Sequence, residues 1–225
     1  MLNTIVNLFF PKVCYACHNL LNDYEDTICL DCRHNLPVTN FHFDNNEAVK
    51  KALYGRAEIE NGTALFRFEK QGLVQRLIHN LKYRGYEHIG FTLGNWLGSE
   101  LKTLKAYQHI DVVIPVPLHK KKLKKRGFNQ VTLFGQQLAE ALNAEYRADV
   151  LVKISNTRSQ TTKGRFTRWI DNDTLFAIKN MDIIDNKHVL LVDDLITTGA
   201  TLEACISVLN QAQNIKTSVA TMAIV

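Results

Sequence analysis

Proline is scarce in this chain, four in 225 residues, and no apolar run approaches the ~18 residues that a membrane-spanning helix needs. The first shortage, with eleven glycines and no low-complexity tract or internal repeat, excludes collagen-like and disordered classes. The second excludes a helical membrane span. Met1 to Phe10 is mildly apolar but lacks a basic flank and a small-residue cleavage site, so no secretory leader is expected and the location read from the sequence is cytoplasmic. Acids are in modest deficit, 22 against 27 Lys and Arg, and the net +5 admits polyanionic partners without requiring one. With 46% hydrophobic residues the chain is long enough for one sizeable core plus a smaller appendage.

Four of the five cysteines fall in the first forty or so residues, with polar intervals such as Asn22 to Asp26 between them. So short a segment cannot bury enough surface to fold unaided and needs a staple. Cys14-x2-Cys17 and Cys29-x2-Cys32 form two knuckles whose spacing suits four thiolates closing a tetrahedral shell around a structural Zn²⁺. Two disulfides, a redox pair or a rubredoxin-like iron site are the alternatives. Cys205 falls on the apolar side of a helical pattern and reads as core. The expected division is a zinc-binding module over residues 1–42 and an α/β domain over 43–225, with Pro37 to Asn46 as connector.

Leu73, Val74, Leu77, Ile78 and Leu81 recur at helical spacing, and Leu93, Leu97, Leu101 and Leu104 repeat the pattern. Strand and helix then alternate. Val112–Ile114 reads as a strand, Val131–Leu142 as a helix, Asp149–Ile154 as a weaker strand, Val189–Val192 as a strand followed by a helix, and Ser218–Val225 as a closing strand. Such alternation implies right-handed crossovers and a mostly parallel sheet covered on both faces.

The run from Val189 to Thr201 carries the sharpest chemistry. An apolar strand delivers Asp193 and Asp194 to its carboxyl end, where ligands bind in open α/β sheets. Thr197, Thr198, Gly199, Ala200 and Thr201 then supply small side chains, free backbone N–H groups and a helix start that can wrap an anion. An ordinary strand-turn-helix connection with a capping Asp pair is the plainer reading. Between a strand end and a helix start lie Lys120, Lys121, Lys122, Lys124, Lys125 and Arg126, a loop with no acid that could neutralise pyrophosphate, track a nucleic-acid backbone, or simply be solvated. A second basic stretch, Arg158 to Arg168 with Lys163 and Arg165, reads either as a mobile lid able to meet charge on a leaving group or as a surface loop. Lys82 ends a helix, where a cation also complements the dipole. Without the six cations of 120–126 the net +5 becomes −1, and without the four of 158–168 as well it becomes −5.

The 189–201 run resembles the 5-phosphoribosyl-1-pyrophosphate (PRPP) motif of type I phosphoribosyltransferases. With Phe10-Pro11, the paired cysteines, Leu81-Lys82-Tyr83-Arg84-Gly85, Pro115-Val116-Pro117-Leu118 and Arg126-Gly127-Phe128-Asn129-Gln130, nearly the whole chain resembles the ComF family of competence-associated proteins. Arg158, Gln160, Arg165, Arg168, Asn172 and Phe176 extend the likeness through the lid. The resemblance implies a type I phosphoribosyltransferase-like fold with a zinc module and a PRPP ligand carried with Mg²⁺. It assigns Asp193 and Asp194 to the ribose hydroxyls, Thr197 to Thr201 to the 5′-phosphate, and Lys82, Lys120 to Arg126, Arg158, Lys163, Arg165 and Arg168 to pyrophosphate or nucleic acid, Arg165 with a catalytic part. Single-stranded DNA and DNA-uptake proteins are the partners it implies. A non-catalytic module that keeps the fold to bind DNA or dock a partner is the competing expectation.

Overall fold

A computed structural model describes residues 11–44, 46–154 and 175–225. Its centre is a five-stranded sheet in which every neighbouring pair is parallel. The strands are β1 (Gly62–Arg67), β2 (Val112–Pro115), β3 (Glu145–Tyr146), β6 (His188–Ile196) and β7 (Lys216–Ile224), in the spatial order β1-β7-β6-β2-β3. A separate antiparallel hairpin, β4 (Leu151–Ile154) with β5 (Leu175–Ile178), completes the strands. Arg158, Lys163, Arg165 and Arg168 fall between β4 and β5, outside the described residues.

Burial on both faces fits the sequence, since β6 and β7 are rich in apolar residues and buried along nearly their whole length. One face is covered by α1 (Leu30–His34), α3 (Leu73–Tyr83), α4 (His88–Leu101) and α6 (Thr132–Leu142), which share a core with Leu190, Val192, Ala220 and Met222. The other is covered by α2 (Ala48–Leu53) and α7 (Ala200–Leu209), packed on Val189, Leu191 and Val219. The remaining helix among the described residues, α5 (Lys120–Arg126), buries no residue.

Three elements differ from expectation. The basic segment 120–126 is a helix, not a loop. Lys, Leu and Arg are good helix formers, the His119 ring accepts from the Lys121 N–H at 3.2 Å, and Gly127 closes the helix at φ +89°. The strand expected to stop at Val192 runs on through the acids to Ile196, because β7 continues to pair with it at Asp193, Leu195 and Ile196. The connector at 37–46 is tied to the free edge of β1: Val38 bridges Phe66, Thr39 N–H donates to the Leu65 carbonyl, and Phe41 and His42 are buried.

Helix α4 owes its close approach to α6 to Gly90, Gly94 and Gly98, spaced four apart on one face. A Cβ at Gly94 would stand 2.7 Å from the Phe134 carbonyl oxygen, and one at Gly98 would stand 2.8 Å from Ala141 Cβ. Gly94→Ala is therefore expected to destabilise the fold by about 1–3 kcal/mol despite alanine's better helix propensity, read as a lower urea midpoint with unchanged slope. An unchanged midpoint would mean that the helices can separate without loss.

Candidate functional site

Connections leave the sheet in opposite directions between β2 and β6. From β2 the chain passes through α5 and α6 to β3 at one edge, whereas from β6 it passes through α7 to β7 on the other side. The divergence opens a crevice outside the carboxyl ends of β2 and β6, the place where open α/β sheets bind ligands. The expected anion loop, residues 197–201, and the basic helix α5 both border it.

The two acids lie inside β6, so the pleat sends them to opposite faces. Asp194 shares its face with Leu190 and Val192. Its Oδ1 takes the Lys82 ammonium of α3 at 2.7 Å, and its Oδ2 accepts from the Gln130 amide. The Gln130 carbonyl accepts in turn from the Arg126 guanidinium at the end of α5, and that guanidinium sits 5.8 Å over the exposed Tyr83 ring. Asp193 points to the other face, among Cys205 of α7 and the apolar residues around it. Its Oδ1 accepts from the Asp194 N–H at 2.8 Å. Burial, and then the neighbouring Asp194 charge, pushes its carboxyl up to about 7. From the hairpin, Lys153 lies in the field of Asp193 and of Lys122; burial, and then Lys122, lowers its amine below the usual lysine range.

The loop after β6 is exposed at Thr197 and Thr198, and Gly199 turns into α7 at φ +78°. A side chain there would be strained by that φ and would also meet the Ala52 carbonyl oxygen at 2.9 Å. Arg56 clamps the loop. Its guanidinium donates to the Thr198 and Ala52 carbonyls and pairs with Glu203 at 3.1 Å. Because the clamp takes a carbonyl, the amides stay free: among the described residues, the backbone N–H groups of Thr197, Thr198 and Gly199 have no protein acceptor. Ala200 and Thr201, also exposed, add the open first turn of α7.

Sequence reasoning placed Asp193, Asp194, Lys82 and 197–201 in one site, and the structure brings them together with α5. It missed Arg56, Gln130 and Lys153 as site residues. Gln130 had a visible signal in Arg126-Gly127-Phe128-Asn129-Gln130; the isolated Arg56 and the strand residue Lys153 had none.

The cysteines gather at the far side of α3 and α4. The sulfurs of Cys14, Cys17, Cys29 and Cys32 lie within 4.8 Å of one another, and Cys17 and Cys29 are 3.7 Å apart. A tetrahedral shell at the ~2.3 Å thiolate distance of zinc has edges of about 3.8 Å, whereas a disulfide needs about 2.05 Å. Backbone N–H groups of Ala16, Cys29 and Cys32 donate to the sulfurs at 3.3–3.4 Å. Burial raises the Cys14 thiol, but the N–H bonds outweigh it and bring it down to about 7. Burial, and then crowding by the other sulfurs, pushes Cys32 up. One cation at the centre would relieve that crowding, so the donor set fits a closed four-sulfur metal site.

Residues 131–223 match the family of phosphoribosyl transferase domains. The chain is 26% identical over 191 residues to competence protein ComFC of Bacillus subtilis, covering 85% of this chain and 75% of that one. It is 25% identical to the DNA utilization protein YhgH of Escherichia coli O157:H7, covering 84% and 80%. With ComFC of Streptococcus pneumoniae it shares 36% over 131 residues, 58% of this chain and 54% of the other. These matches support the ComF family. The chain has a type I phosphoribosyltransferase-like fold, and among its described residues no helix is long and apolar enough to cross a membrane.

Two expectations follow for this chain. Removing the metal with a strong chelator should lower the melting temperature by about 10 °C or more and expose four reactive thiols, because the module shares its core with α3 and α4. An unmoved melting curve after verified metal removal would refute the structural role. Asp193 is protonated more readily in the fold than when unfolded, so it favours the folded state at low pH, and that contribution fades as pH rises from about 4 to 7. The melting temperature of Asp193→Asn relative to the parent should therefore climb between pH 5 and pH 8. A difference independent of pH would contradict the raised value.

Proposed function

We propose that this protein binds PRPP at the crevice between β2 and β6 and transfers its phosphoribosyl group. The observation that carries this reading is the 197–201 loop, whose N–H groups are left open by the Arg56 clamp at the carboxyl end of a strand bearing two acids. In this reading the amides and hydroxyls of Thr197, Thr198, Gly199, Ala200 and Thr201 hold the 5′-phosphate, and Asp193 and Asp194 meet the ribose hydroxyls. Lys120, Lys121, Lys122, Lys124, Lys125 and Arg126 with Lys82 meet the pyrophosphate. Arg158, Lys163, Arg165 and Arg168 remain assigned to a lid on the sequence resemblance alone.

Transfer breaks the bond between the anomeric carbon and the pyrophosphate oxygen, with the electron pair leaving on pyrophosphate. An acceptor atom then bonds to the sugar carbon. Negative charge grows on the leaving group, which is where a cationic helix stabilises it. Helix α5 is built for such a ligand. Lys120 and Lys124, Lys121 and Lys125, and Lys122 and Arg126 stand at i,i+4 and repel one another, so an anion along this face removes a cost that the free helix carries.

Mg²⁺ is expected to travel with PRPP. The acids do not offer it a direct site here, since Asp194 is occupied on both oxygens and Asp193 is buried, so no step is assigned to it. For the cysteine module we infer zinc, on the four-sulfur donor set and its spacing.

Exposed α5 with Tyr83 beside Arg126 also favours a second reading, in which single-stranded DNA lies along the same cations. The relatives named for competence and DNA utilization support that context.

Calorimetric titration with PRPP and Mg²⁺ tests the first reading. The intact protein should bind, and the double variant Asp193→Ala/Asp194→Ala should bind at least tenfold more weakly while keeping its metal. Absent binding, or equal binding by both proteins, would sink this assignment.

A further inference from the structure

Asp194 is the acid assigned to the sugar, yet both its oxygens are held by the protein: Lys82 takes Oδ1 at 2.7 Å and Gln130 takes Oδ2. The side chain is 7% exposed, so neither contact is easily exchanged for water. The holders are not independent of the pyrophosphate side of the crevice. Lys82 is one of the cations assigned there. Gln130 is oriented by Arg126, the last residue of the basic helix, whose guanidinium fixes the amide carbonyl and so aims the amide nitrogen at Asp194.

A pyrophosphate group competes for these cations on favourable terms. Arg126 now donates to a neutral amide, and Lys82 serves one carboxylate. A multiply charged phosphate offers both of them charge-assisted bonds, bidentate for Arg126. Once Arg126 turns to the anion, the Gln130 carbonyl loses its donor and its amide is no longer held in register with Asp194. Once Lys82 is shared, Oδ1 also opens to a sugar hydroxyl.

We propose that Asp194 is latched by the two cations that pyrophosphate recruits, Lys82 directly and Arg126 through Gln130, so that pyrophosphate occupancy raises the affinity of the site for ribose 5-phosphate. The inference rests on the phosphoribosyl reading of the site and adds a specificity device to it. Ribose 5-phosphate alone meets the latched acid and binds with an affinity reduced by the small open fraction. PRPP carries its own release group and meets the open acid. Linkage is reciprocal, so ribose 5-phosphate must tighten pyrophosphate binding by the same factor.

The test is calorimetric titration of the intact, metal-loaded protein with ribose 5-phosphate, alone and at saturating inorganic pyrophosphate. Gln130→Leu and Arg126→Gln, the second at a half-buried position at the end of α5, go through the same titrations. For the parent, pyrophosphate should lower the dissociation constant of ribose 5-phosphate by about fivefold or more. Both variants should bind ribose 5-phosphate more tightly than the parent in its absence, and pyrophosphate should improve that binding less than twofold. Ribose 5-phosphate affinity that pyrophosphate leaves unchanged or weakens in the parent would overturn the latch while leaving the phosphoribosyl reading intact, and so would full coupling in both variants. No binding of ribose 5-phosphate or PRPP by any folded protein would instead remove the site assignment, and the latch with it.

Discussion

Carrying two carboxylates inside the central strand of a sheet buried on both faces is the constraint around which this site is organised. An isolated ionised carboxylate in such a place is far too costly to keep, so it must be paired or must neutralise. The two acids take different solutions because the pleat separates them. Asp194 faces the side where α3 ends, and there a lysine and an amide meet it. Asp193 faces the side of α7, where it has a backbone N–H and little else, and it leans toward its neutral form. Adjacent positions in sequence thereby supply two chemically distinct groups, one paired and one poised near neutral pH.

The other side of the crevice shows the opposite device: among the described residues the N–H groups of the 197–199 loop have no protein acceptor and the lysines of α5 pair with no acid. Arg56 holds the 197–201 loop through the Thr198 carbonyl, which shapes the backbone without consuming its N–H groups. Helix α5 holds six cations with no residue buried, a helix kept by local propensity and two end caps against its own repulsion. Donors that face nothing and acids that face their own partners make the crevice asymmetric.

Much of this was legible in the sequence, for reasons that can be named. Parallel order follows from strand and helix alternation, and the acid-threonine-glycine run marks a strand-to-helix turn. The paired C-x-x-C spacing marks the four cysteines that gather in one cluster. Less legible were features that depend on two distant segments meeting. The strand's extension past Asp194 is decided by β7 pairing. The clamp joins Arg56 to Thr198 across the chain. Pairing of Lys82 with Asp194 is decided by where α3 stops, and a lysine at a helix end has a sufficient local explanation in the dipole, which concealed the longer contact. The basic segment was misread as a loop because charge density overshadowed helix propensity. The glycines of α4 were passed over because the leucine pattern already accounted for that helix.

Helix α3 connects the two ends of the molecule. Its Asn80 donates to the Tyr15 carbonyl at 2.7 Å, between the first two cysteines, and just beyond it Tyr86 stacks on Tyr15 at 4.3 Å. Two residues after Asn80, Lys82 reaches Asp194. Interiors packed to crystal-like density transmit displacement instead of absorbing it, and the cysteines share one continuous core with Leu77, Leu81 and the sheet. A module too small to fold unaided is thus stapled by its cysteines against the helix that carries the counter-ion of the site. A metal held by those four sulfurs would brace the last turn of α3, and with it the lysine that pairs with Asp194.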